Sequence, residues 1–408
     1  MADTALAGLR VLDLSRVLAG PWCSQLLADL GADVVKVERP GSGDDTRAWG
    51  PPWLARDDGS ASNESAYFLA ANRNKRSLTV DLGQPEGQRL VRELALRADV
   101  LIENFKVGGL AQYGLDFDSL KALNPRLIYC SITGFGQTGP YAERPGYDFL
   151  MQGMGGLMSV TGRPDGEPGG GPLKVGVALT DVMTGLYATV AVLAALQRRQ
   201  ASGEGQHIDL ALLDVQVAAL ANQASNFLVG GQVPQRMGNA HPNIVPYQDF
   251  PTADGHMIVT VGNDSQFASF SAVLGCPDWA RDERFATNPQ RVRHRDALVA
   301  QIREITVTRN TDDWVAAMEA AKVPCGPINT IDRVFANPQA RARGMHVEMA
   351  HAVAAALPLV GNPIRLSESP VDYRRAPPTL GQHTDEVLED WLGLDAPAVA
   401  ALRSRHIV

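Results

Sequence analysis

Short runs of apolar and β-branched residues alternate with helical patterns through the first half of the chain. Four such runs predict strands, at residues 9–14, 33–38, 100–105 and 126–132. Residues 21–32, with a proline at the start and a glycine at the end, and residues 84–98 predict helices between them. This alternation indicates a mostly parallel sheet covered by helices, as in α/β folds.

One acidic residue precedes a long apolar segment in the middle of the chain. Residues 175–179 predict a short buried strand or extended segment, and residues 182–199 predict a long apolar helix. Asp181 lies between them, where aspartate is a favoured helix N-cap. Capping and catalysis are compatible there, because free backbone N–H groups keep a carboxylate ionised and oriented. Asp181 is therefore a candidate for either role.

The second half of the chain has a different pattern. Residues 161–172 predict a flexible loop rich in glycine and proline, and beyond residue 225 a strand after a turn precedes an amphipathic helix at 312–322. The last segment regains strand character and ends in a helix that Thr384 is predicted to cap. Because 408 residues are too many for one ordinary core, this middle region is a candidate second domain.

Composition and charge narrow the class of protein. Hydrophobic residues make up 45% of the chain and charged residues 20%, as is typical of a well-packed soluble protein. The net charge is −8, and no long basic run is present, which argues against nucleic-acid binding. Any polyanionic ligand must therefore meet a local cluster of cations.

Cysteine usage and the first residues favour a cytoplasmic protein. The four cysteines are scattered without a C-x-x-C pair, which indicates reduced thiols rather than disulfides or a zinc site. No charged segment with an apolar core precedes the first predicted strand, so no signal peptide is evident. Thr184, Gly185 and Thr189 interrupt the apolar helix, which is predicted to be too short to span a bilayer, and no membrane partner is expected.

The first strand–turn–helix raises the question of dinucleotide binding. Glu38 ends the second predicted strand, where such sites carry an acidic residue. The turn reads SRVLAGP (15–21), however, and lacks the G-x-G-x-x-G that lets a backbone approach a pyrophosphate closely. The sequence therefore disfavours NAD binding.

Basic residues cluster near the presumed strand ends. They are Arg39, Arg73, Lys75, Arg76 and Lys106. Any one of these residues could simply belong to a solvent-exposed surface. Together, however, they lie near the strand ends, where open α/β sheets bind ligands, and this favours a phosphate-bearing ligand. His241 is the most interesting histidine, although a lone loop histidine usually has a structural role. No residue cluster has metal-ligand spacing, and no G-x-S-x-G motif is present.

Long motifs resemble the class III CoA-transferase family, also called the CaiB/BaiF family. They include LDLSRVLAGPWCSQLLADLGADVVKVERPGSGDDTRAWGPP (12–52), NRNKRSL (72–78), DVLIENF (99–105), LNPRLIYCSITGFGQTGPY (123–141), GYDFLMQGMGGLMSVTG (146–162), TDVMTGLYATVAVLAALQRRQASGEGQHIDLALLD (180–214), VPCGPINT and PPTLGQHTDEVL. The match runs nearly end to end. RVLAGP, MGNAHPNIVPYQDF and PCGPIN are most similar to the branch that moves CoA from succinyl-CoA to glutarate, whose relatives use other C4–C6 dicarboxylates or sulfinates.

The resemblance implies a fold, an assembly and a nucleophile. It implies a large Rossmann-like α/β domain of residues 1–225 and 330–408, a smaller α+β domain of residues 226–329, and an interlocked homodimer. It further implies that Asp181 is the nucleophile and that a coenzyme A thioester is a substrate, with no tightly bound cofactor and no metal. The candidate CoA-binding residues are Ala19, Arg39, Arg73, Lys75, Asn104, Phe105, Lys106 and Tyr147.

Some positions depart from the formyl-CoA transferases of this family. Gln112 replaces an arginine, and Gly83 replaces a lysine. The glycine-run loop that closes over the site of those enzymes is also missing, and residues 236–243 are a candidate replacement. Oxalate is therefore a disfavoured acceptor.

The implied chemistry is covalent catalysis by Asp181, through an aspartyl anhydride and an aspartyl-CoA thioester. Both hydrolyse, so water must be excluded, and the predicted walls are Trp49, Tyr147 and the loop around His241. Backbone N–H groups of residues 136–139 or of the helix start after Asp181 are candidate oxyanion donors. The second negative group of each acid needs a cation, for which the candidates are Arg16, Arg47 and His241.

Two other functions fit the same fold. A 2-methylacyl-CoA racemase pairs the aspartate with a histidine in a G-H-D setting, but this chain has Tyr147 there, and a phenol is a poor proton acceptor at neutral pH. A non-catalytic CoA-binding protein is the other alternative. Retention of Asp181 and its whole motif argues against it.

Overall fold

The structure is a computed structural model that describes residues 4–408. In that range, the strands are β1 (Arg10–Asp13), β2 (Asp33–Glu38), β3 (Trp53–Ala55), β4 (Ala61–Ser65), β5 (Lys75–Thr79), β6 (Val100–Glu103), β7 (Ile128–Thr133), β8 (His207–Ala211), β9 (Tyr247–Pro251), β10 (His256–Thr260), β11 (Cys325–Pro327), β12 (His346–His351) and β13 (Ala354–Val360).

The helices cover most of the remaining chain. They are α1 (Ala19–Asp29), α2 (Ala66–Ala70), α3 (Pro85–Arg97), α4 (Phe117–Leu123), α5 (Asp148–Met154), α6 (Leu157–Val160), α7 (Leu179–Ser202), α8 (Leu212–Ala218), α9 (Ala221–Gly230), α10 (Asp264–Val273), α11 (Asn288–Arg293), α12 (Arg295–Thr306), α13 (Thr311–Ala320), α14 (Ile331–Ala336), α15 (Pro338–Ala342), α16 (Thr384–Leu392) and α17 (Ala396–Ser404). Short 3₁₀ helices lie at Asp45–Ala48, Ala111–Tyr113 and Pro277–Ala280.

The chain divides into two compact units. The first contains residues 4–157, 175–224 and 338–408, and the second contains residues 158–174 and 225–337. The second unit has an antiparallel sheet of order β11-β10-β9 around its own aromatic core, which includes Phe250, Phe267 and Trp314.

The main sheet of the first unit has the order β5-β2-β1-β6-β7-β8, and all its neighbouring pairs are parallel. This confirms the parallel α/β sheet that the alternating pattern predicts. From β1 the chain builds outward to β2 and β5, and then returns to β6 on the other side. The topological switch point therefore lies between β1 and β6, and open α/β sheets bind ligands outside the carboxyl ends of the strands at that point.

Both faces of this sheet are covered. Alternate residues of β1 point to opposite faces, so Val11 joins a core with residues of α1 and α7, whereas Leu12 joins a core with residues of α3 and α16. Burial on both faces explains why the strand sequences are apolar runs rather than strict alternations.

Helix α7 differs from its predicted form. Residues 175–178 form no strand and are partly or fully exposed, and the helix begins at Leu179 and runs for 24 residues. Its length and mean hydropathy of 1.6 are sufficient to cross a membrane, so the prediction that it is too short is wrong. Its buried face, which includes Ala188 and Val192, instead contributes to the core that contains α1.

The predicted cap of the C-terminal helix is also wrong. Thr384 is the first residue of α16, and its predecessor His383 occupies the cap position. The Thr384 hydroxyl instead accepts a hydrogen bond from the Thr79 backbone N–H at 3.3 Å, which ties α16 to β5.

Candidate active site

Asp181 is the third residue of α7, and its side chain is 8% exposed. Ala178 occupies the N-cap position of this helix, and its first amides bind a carboxylate from another helix, Asp148 at the start of α5. Asp148 Oδ1 accepts hydrogen bonds from the backbone N–H groups of Thr180 at 2.8 Å and Asp181 at 3.3 Å. The interpretation of Asp181 as the N-cap is therefore corrected, and its carboxylate is left available for chemistry.

Burial controls the ionisation of Asp181. Removal of the carboxyl group from water raises its pKa to about 7, and the nearby charge of Asp148 acts in the same direction. Near neutral pH the charged and neutral forms are therefore comparably populated. A strongly perturbed carboxyl group in a cleft is typical of a functional site.

A cavity of about 230 Å³ brings Asp181 together with most of the predicted contacts. It lies at the carboxyl ends of β1 and β6, the switch point of the sheet. The predicted site residues that line it are Arg16, Ala19, Asn104, Phe105, Lys106, Tyr147 and Asp181. They come from the β1–α1 turn, the segment after β6, the segment before α5, and α7.

Three cations line this cavity. Arg16 pairs with Asp45 at 2.8 Å and lies over the Phe105 ring, and Lys106 follows that ring in the chain. The third is Arg144, which sequence reasoning missed and whose guanidinium lies over the rings of Phe135 and Tyr141. Its position just before the Gly-Tyr-Asp motif was the only available signal.

A neighbouring cavity of about 420 Å³ contains Arg39. It lies beside the carboxyl ends of β1 and β2, shares Arg16 and Phe105 with the smaller cavity, and has apolar walls that include Leu14 and Val80. Gly83, where formyl-CoA transferases have a lysine, also lines it. The two cavities are adjacent because they share lining residues, and they present both polar and apolar side chains between Asp181 and Arg39.

Arg73 and Lys75 line neither cavity, which corrects their assignment as CoA ligands. Arg73 forms a buried ion pair with Asp29 at 2.6 Å, and Lys75 Nζ lies 3.2 Å from Asp13 with both side chains fully buried. Burial lowers the pKa of Lys75 to about 8, although Asp13 acts in the opposite direction. These cations lie just before or at the amino end of β5, whereas ligands bind at the carboxyl ends.

Arg47 is also already paired. Its Nε and Nη2 atoms donate to the two oxygens of Glu38 at 2.7 and 2.8 Å, and the guanidinium lies 3.6 Å from the centroid of the Phe68 ring. This pairing corrects its assignment as a ligand of the acid's second carboxylate, because the geometry leaves no free edge for bidentate binding.

Of the two aromatic residues predicted to exclude water from the site, only one lines the Asp181 cavity. Tyr147 lines the cavity and is 64% exposed, whereas Trp49 lines neither cavity and packs edge-on against Tyr67 at 5.1 Å. Burial raises the pKa of Tyr67, and the charge of Asp181 adds to the effect, so Tyr67 lies in the electrostatic surroundings of Asp181.

His241 belongs to the second unit. Its ring Nδ1 accepts a hydrogen bond from the Asn243 backbone N–H at 3.1 Å, and the ring packs against Tyr247. Burial and Arg295 lower its pKa. Its contact with the acid substrate stays a prediction.

Several of the candidate oxyanion donors are engaged within the protein. The Gly136 N–H donates to Thr133 and the Gln137 N–H donates to Asp209, while the first amides of α7 donate to Asp148. The backbone N–H groups of Thr138 and Gly139 have no acceptor within residues 4–408, and neither do those of Leu18 and Ala19 at the start of α1. The same part of the chain contains no group of three or more His, Cys, Asp or Glu side chains that could hold a metal ion.

Comparisons with known proteins identify the family of this chain. Residues 6–384 match the family model described as CoA-transferase family III. The chain belongs to CoA-transferase family III. This confirms the resemblance predicted from the sequence motifs and places the chain among CoA-transferases.

Individual relatives of this CoA-transferase cover nearly its whole length. A succinate–glutarate CoA-transferase of Agrobacterium fabrum is 54% identical over 385 residues, 94% of this chain and 95% of that one. The human succinyl-CoA:glutarate CoA-transferase is 42% identical over 99% of this chain and 90% of its own length. The crystal structure of a CaiB/BaiF family protein from Brucella suis matches with a TM-score of 0.83 at 52% identity, covering 95% of this chain and 99% of that chain.

Proposed function

We propose that this CoA-transferase moves CoA from succinyl-CoA to glutarate or a closely similar dicarboxylate, with Asp181 as the nucleophile. The observation that carries the proposal is the buried Asp181 carboxyl in a cavity that six other predicted contact residues line. The names and activities of the two relatives above support the choice of donor and acceptor.

The proposed reaction proceeds through two covalent species. The ionised Asp181 carboxylate attacks the succinyl carbonyl carbon, the C–S bond breaks, and CoA leaves as a thiolate. The thiolate then attacks the aspartyl carbonyl of the mixed anhydride, which releases succinate and leaves an aspartyl-CoA thioester. Glutarate reverses both steps and leaves as glutaryl-CoA, so Asp181 is regenerated.

The developing oxyanions need preorganised donors. The N–H groups of Leu18 and Ala19 are the proposed ones, because they have no acceptor in the described chain and Ala19 and Asp181 line the same cavity. Donors aimed at developing charge are commonly worth roughly 10²- to 10³-fold in rate.

The larger cavity suits the nucleotide end of CoA. Arg39 supplies a cation for phosphate, and the apolar side chains there suit a purine ring. Binding energy from this remote part can hold the thioester carbon against Asp181.

The cations of the smaller cavity suit the second carboxylate of the donor and acceptor acids. Arg16 and Arg144 are the proposed partners because both residues line the Asp181 cavity and a guanidinium binds a carboxylate well. No histidine lines this cavity in the described chain, so the second acid/base group that a racemase would need is lacking there.

We also propose that the working molecule is an interlocked homodimer. Leu186, Tyr187 and Val190 of helix α7 are exposed to solvent. Tyr147, just before α5, and Phe149, within it, are exposed as well. Several exposed large apolar residues on one part of a unit are typical of an interaction surface.

Asp181 labelling tests the nucleophile directly. Protein preloaded with succinyl-CoA is treated with hydroxylamine or borohydride and digested, and we expect the peptide that contains residue 181 to carry the modification. Asp181→Ala should form glutaryl-CoA at less than about a thousandth of the wild-type rate while it still binds CoA. An unmodified peptide in a preparation that exchanges CoA would disprove this mechanism.

A further inference from the structure

The turn between β1 and α1 contains a strained residue. Val17 has φ of +72°, in the left-handed region that β-branched residues strongly disfavour. It lines the same cavity as Asp181. Such a conformation persists only where the surroundings over-determine it, and strained residues cluster at functional sites.

Three side chains hold consecutive backbone groups of this turn. Lys36 Nζ donates to the Ser15 carbonyl at 2.8 Å. The Asn104 side-chain amide accepts a hydrogen bond from the Arg16 N–H at 2.9 Å and donates one to the Arg16 carbonyl at 2.7 Å. The Val17 N–H donates to Asp44, with both carboxylate oxygens at 3.2 Å.

Asp44 is itself rigidly held. Its Oδ2 lies 2.9 Å from Lys36 Nζ, with both side chains fully buried, and its Oδ1 accepts from the N–H and hydroxyl of Thr46. Burial alone would raise the pKa of Asp44, but Lys36 and Thr46 together lower it to about 2. The next residue, Asp45, pairs with the Arg16 side chain, so the segment after β2 binds both the backbone and a side chain of the turn.

We propose that Asp44 and Lys36 are positioning residues for CoA transfer: they enforce the left-handed turn at Val17 and thereby place Arg16 and Ala19 beside Asp181. Neither residue lines the Asp181 cavity, although both line the larger one; each bonds the backbone of the turn, and this is the contact by which it acts on the transfer. The inference rests on the proposed function, because it holds that the strained conformation of Val17 serves the CoA-transfer reaction.

The alternative is that the pair only stabilises the fold. A positioning role and a purely structural role predict different effects of an Asp44 substitution when the residue at position 17 is changed. Glycine adopts a left-handed conformation without steric cost, so enforcement by Asp44 matters less in a chain with glycine at this position. A purely structural pair would be equally important in both backgrounds.

The test is a double-mutant cycle of Asp44→Asn and Val17→Gly, assayed with succinyl-CoA and glutarate. The single amide oxygen of an asparagine cannot serve Val17, Thr46 and Lys36 together, so in the wild-type background we expect Asp44→Asn to lower kcat by roughly 10- to 100-fold, with a smaller change in KM for either substrate. In the Val17→Gly background we expect the loss to be at least about five-fold smaller. Equal losses in the two backgrounds would overturn the proposal.

Two further variants control for loss of folding and for a general loss of stability. Lys36→Met with Asp44→Asn removes the pair without leaving a buried charge, and is the variant to use if Asp44→Asn alone fails to fold. Asp33→Asn removes an ion-pair partner of Arg76 at the amino end of β2 and should lower thermal stability but leave kcat unchanged. Wild-type protein without exchange would refute the proposed function and this inference together, whereas unchanged kcat in well-folded Asp44→Asn would refute the inference alone.

Discussion

At the level of single residues, Asp181 has two opposing requirements. As the proposed nucleophile it must be ionised, whereas burial and Asp148 favour the protonated form and raise the pKa of Asp181 to about 7. The carboxyl group is consequently a poor nucleophile in acid and a good one in mild base. Withdrawal from water also removes hydrogen bonds that would weaken its attack on a thioester.

The rate should therefore follow this ionisation. We expect kcat/KM for succinyl-CoA to rise with pH through a midpoint near 7 and then to level off, because kcat/KM reports the pKa of the free enzyme. Initial rates from mildly acidic to mildly basic pH, corrected for thioester hydrolysis without enzyme, measure the profile. A flat profile across this range would contradict the assignment.

Asp148→Asn provides the matching variant. The amide oxygen still accepts from the backbone of α7, but the charge that helps to raise the pKa of Asp181 is gone. Because burial is the larger cause, we expect the midpoint of the pH–rate profile to move to lower pH by only about one unit. A move to higher pH would mean that Asp148 acts in some other way.

At the level of elements, the position of Asp181 depends on how α7 meets α1. Gly185 lies one turn after Asp181, and a Cβ atom there would lie 2.8 Å from the Ala19 carbonyl oxygen and 2.9 Å from the Trp22 Cβ atom. Only glycine permits this approach, which is why one helix can carry Asp181 and another can carry Ala19 in the wall of the same cavity.

Gly185→Ala should disturb both stability and activity. We expect the free energy of unfolding to fall by about 1–3 kcal/mol through overpacking, and kcat to fall because α7 must move away from α1. Chemical denaturation and exchange assays measure the two effects. Gly176→Ala is the control, since a Cβ atom there meets no heavy atom within 4 Å. A neutral Gly185→Ala would show that the crossing can relax.

At the level of the whole molecule, the raised pKa of Asp181 affects stability. The folded protein holds a proton on this group between roughly pH 4 and 7 that the unfolded chain has already released. Its contribution to stability is therefore present at low pH and is lost as pH rises towards 7, by on the order of 4 kcal/mol for the full shift.

Asp181→Asn should reveal this contribution. The variant lacks the titration, so its melting temperature relative to wild type should increase between about pH 5 and about pH 8. Thermal unfolding at both pH values, followed by circular dichroism, measures the difference. A constant difference would show that the pKa of Asp181 is close to its ordinary value.

Assembly is the second property of the whole molecule. We expect light scattering to give the mass of a dimer for wild type and of a smaller species for Tyr187→Glu with Val190→Glu, because two charges would be buried in an apolar interface. Leu123→Glu on α4, where the leucine is 53% exposed, is the matched control and should remain dimeric. A monomeric wild type would contradict the proposed dimer.

The sequence by itself determined the family, the CoA-transferase class and four of the six strands of the parallel sheet, because these depend on long motifs and local periodicity; β5 and β8 were not predicted. Local patterns also pointed to Asp181. It was wrong as a candidate helix cap, because Ala178 occupies that position and the carboxylate that binds the first amides of α7, Asp148, comes from another helix.

Only the tertiary structure decided which charged residues are available to a substrate. Arg73, Lys75 and Arg47 look like free cations in the sequence, but strand register and side-chain pairing bury them against Asp29, Asp13 and Glu38. The same non-local packing brings Arg144 to the Asp181 cavity and Asp44 to the Val17 turn. Charge is a property of a residue, whereas its pairing depends on neighbours that the fold brings together from distant parts of the chain.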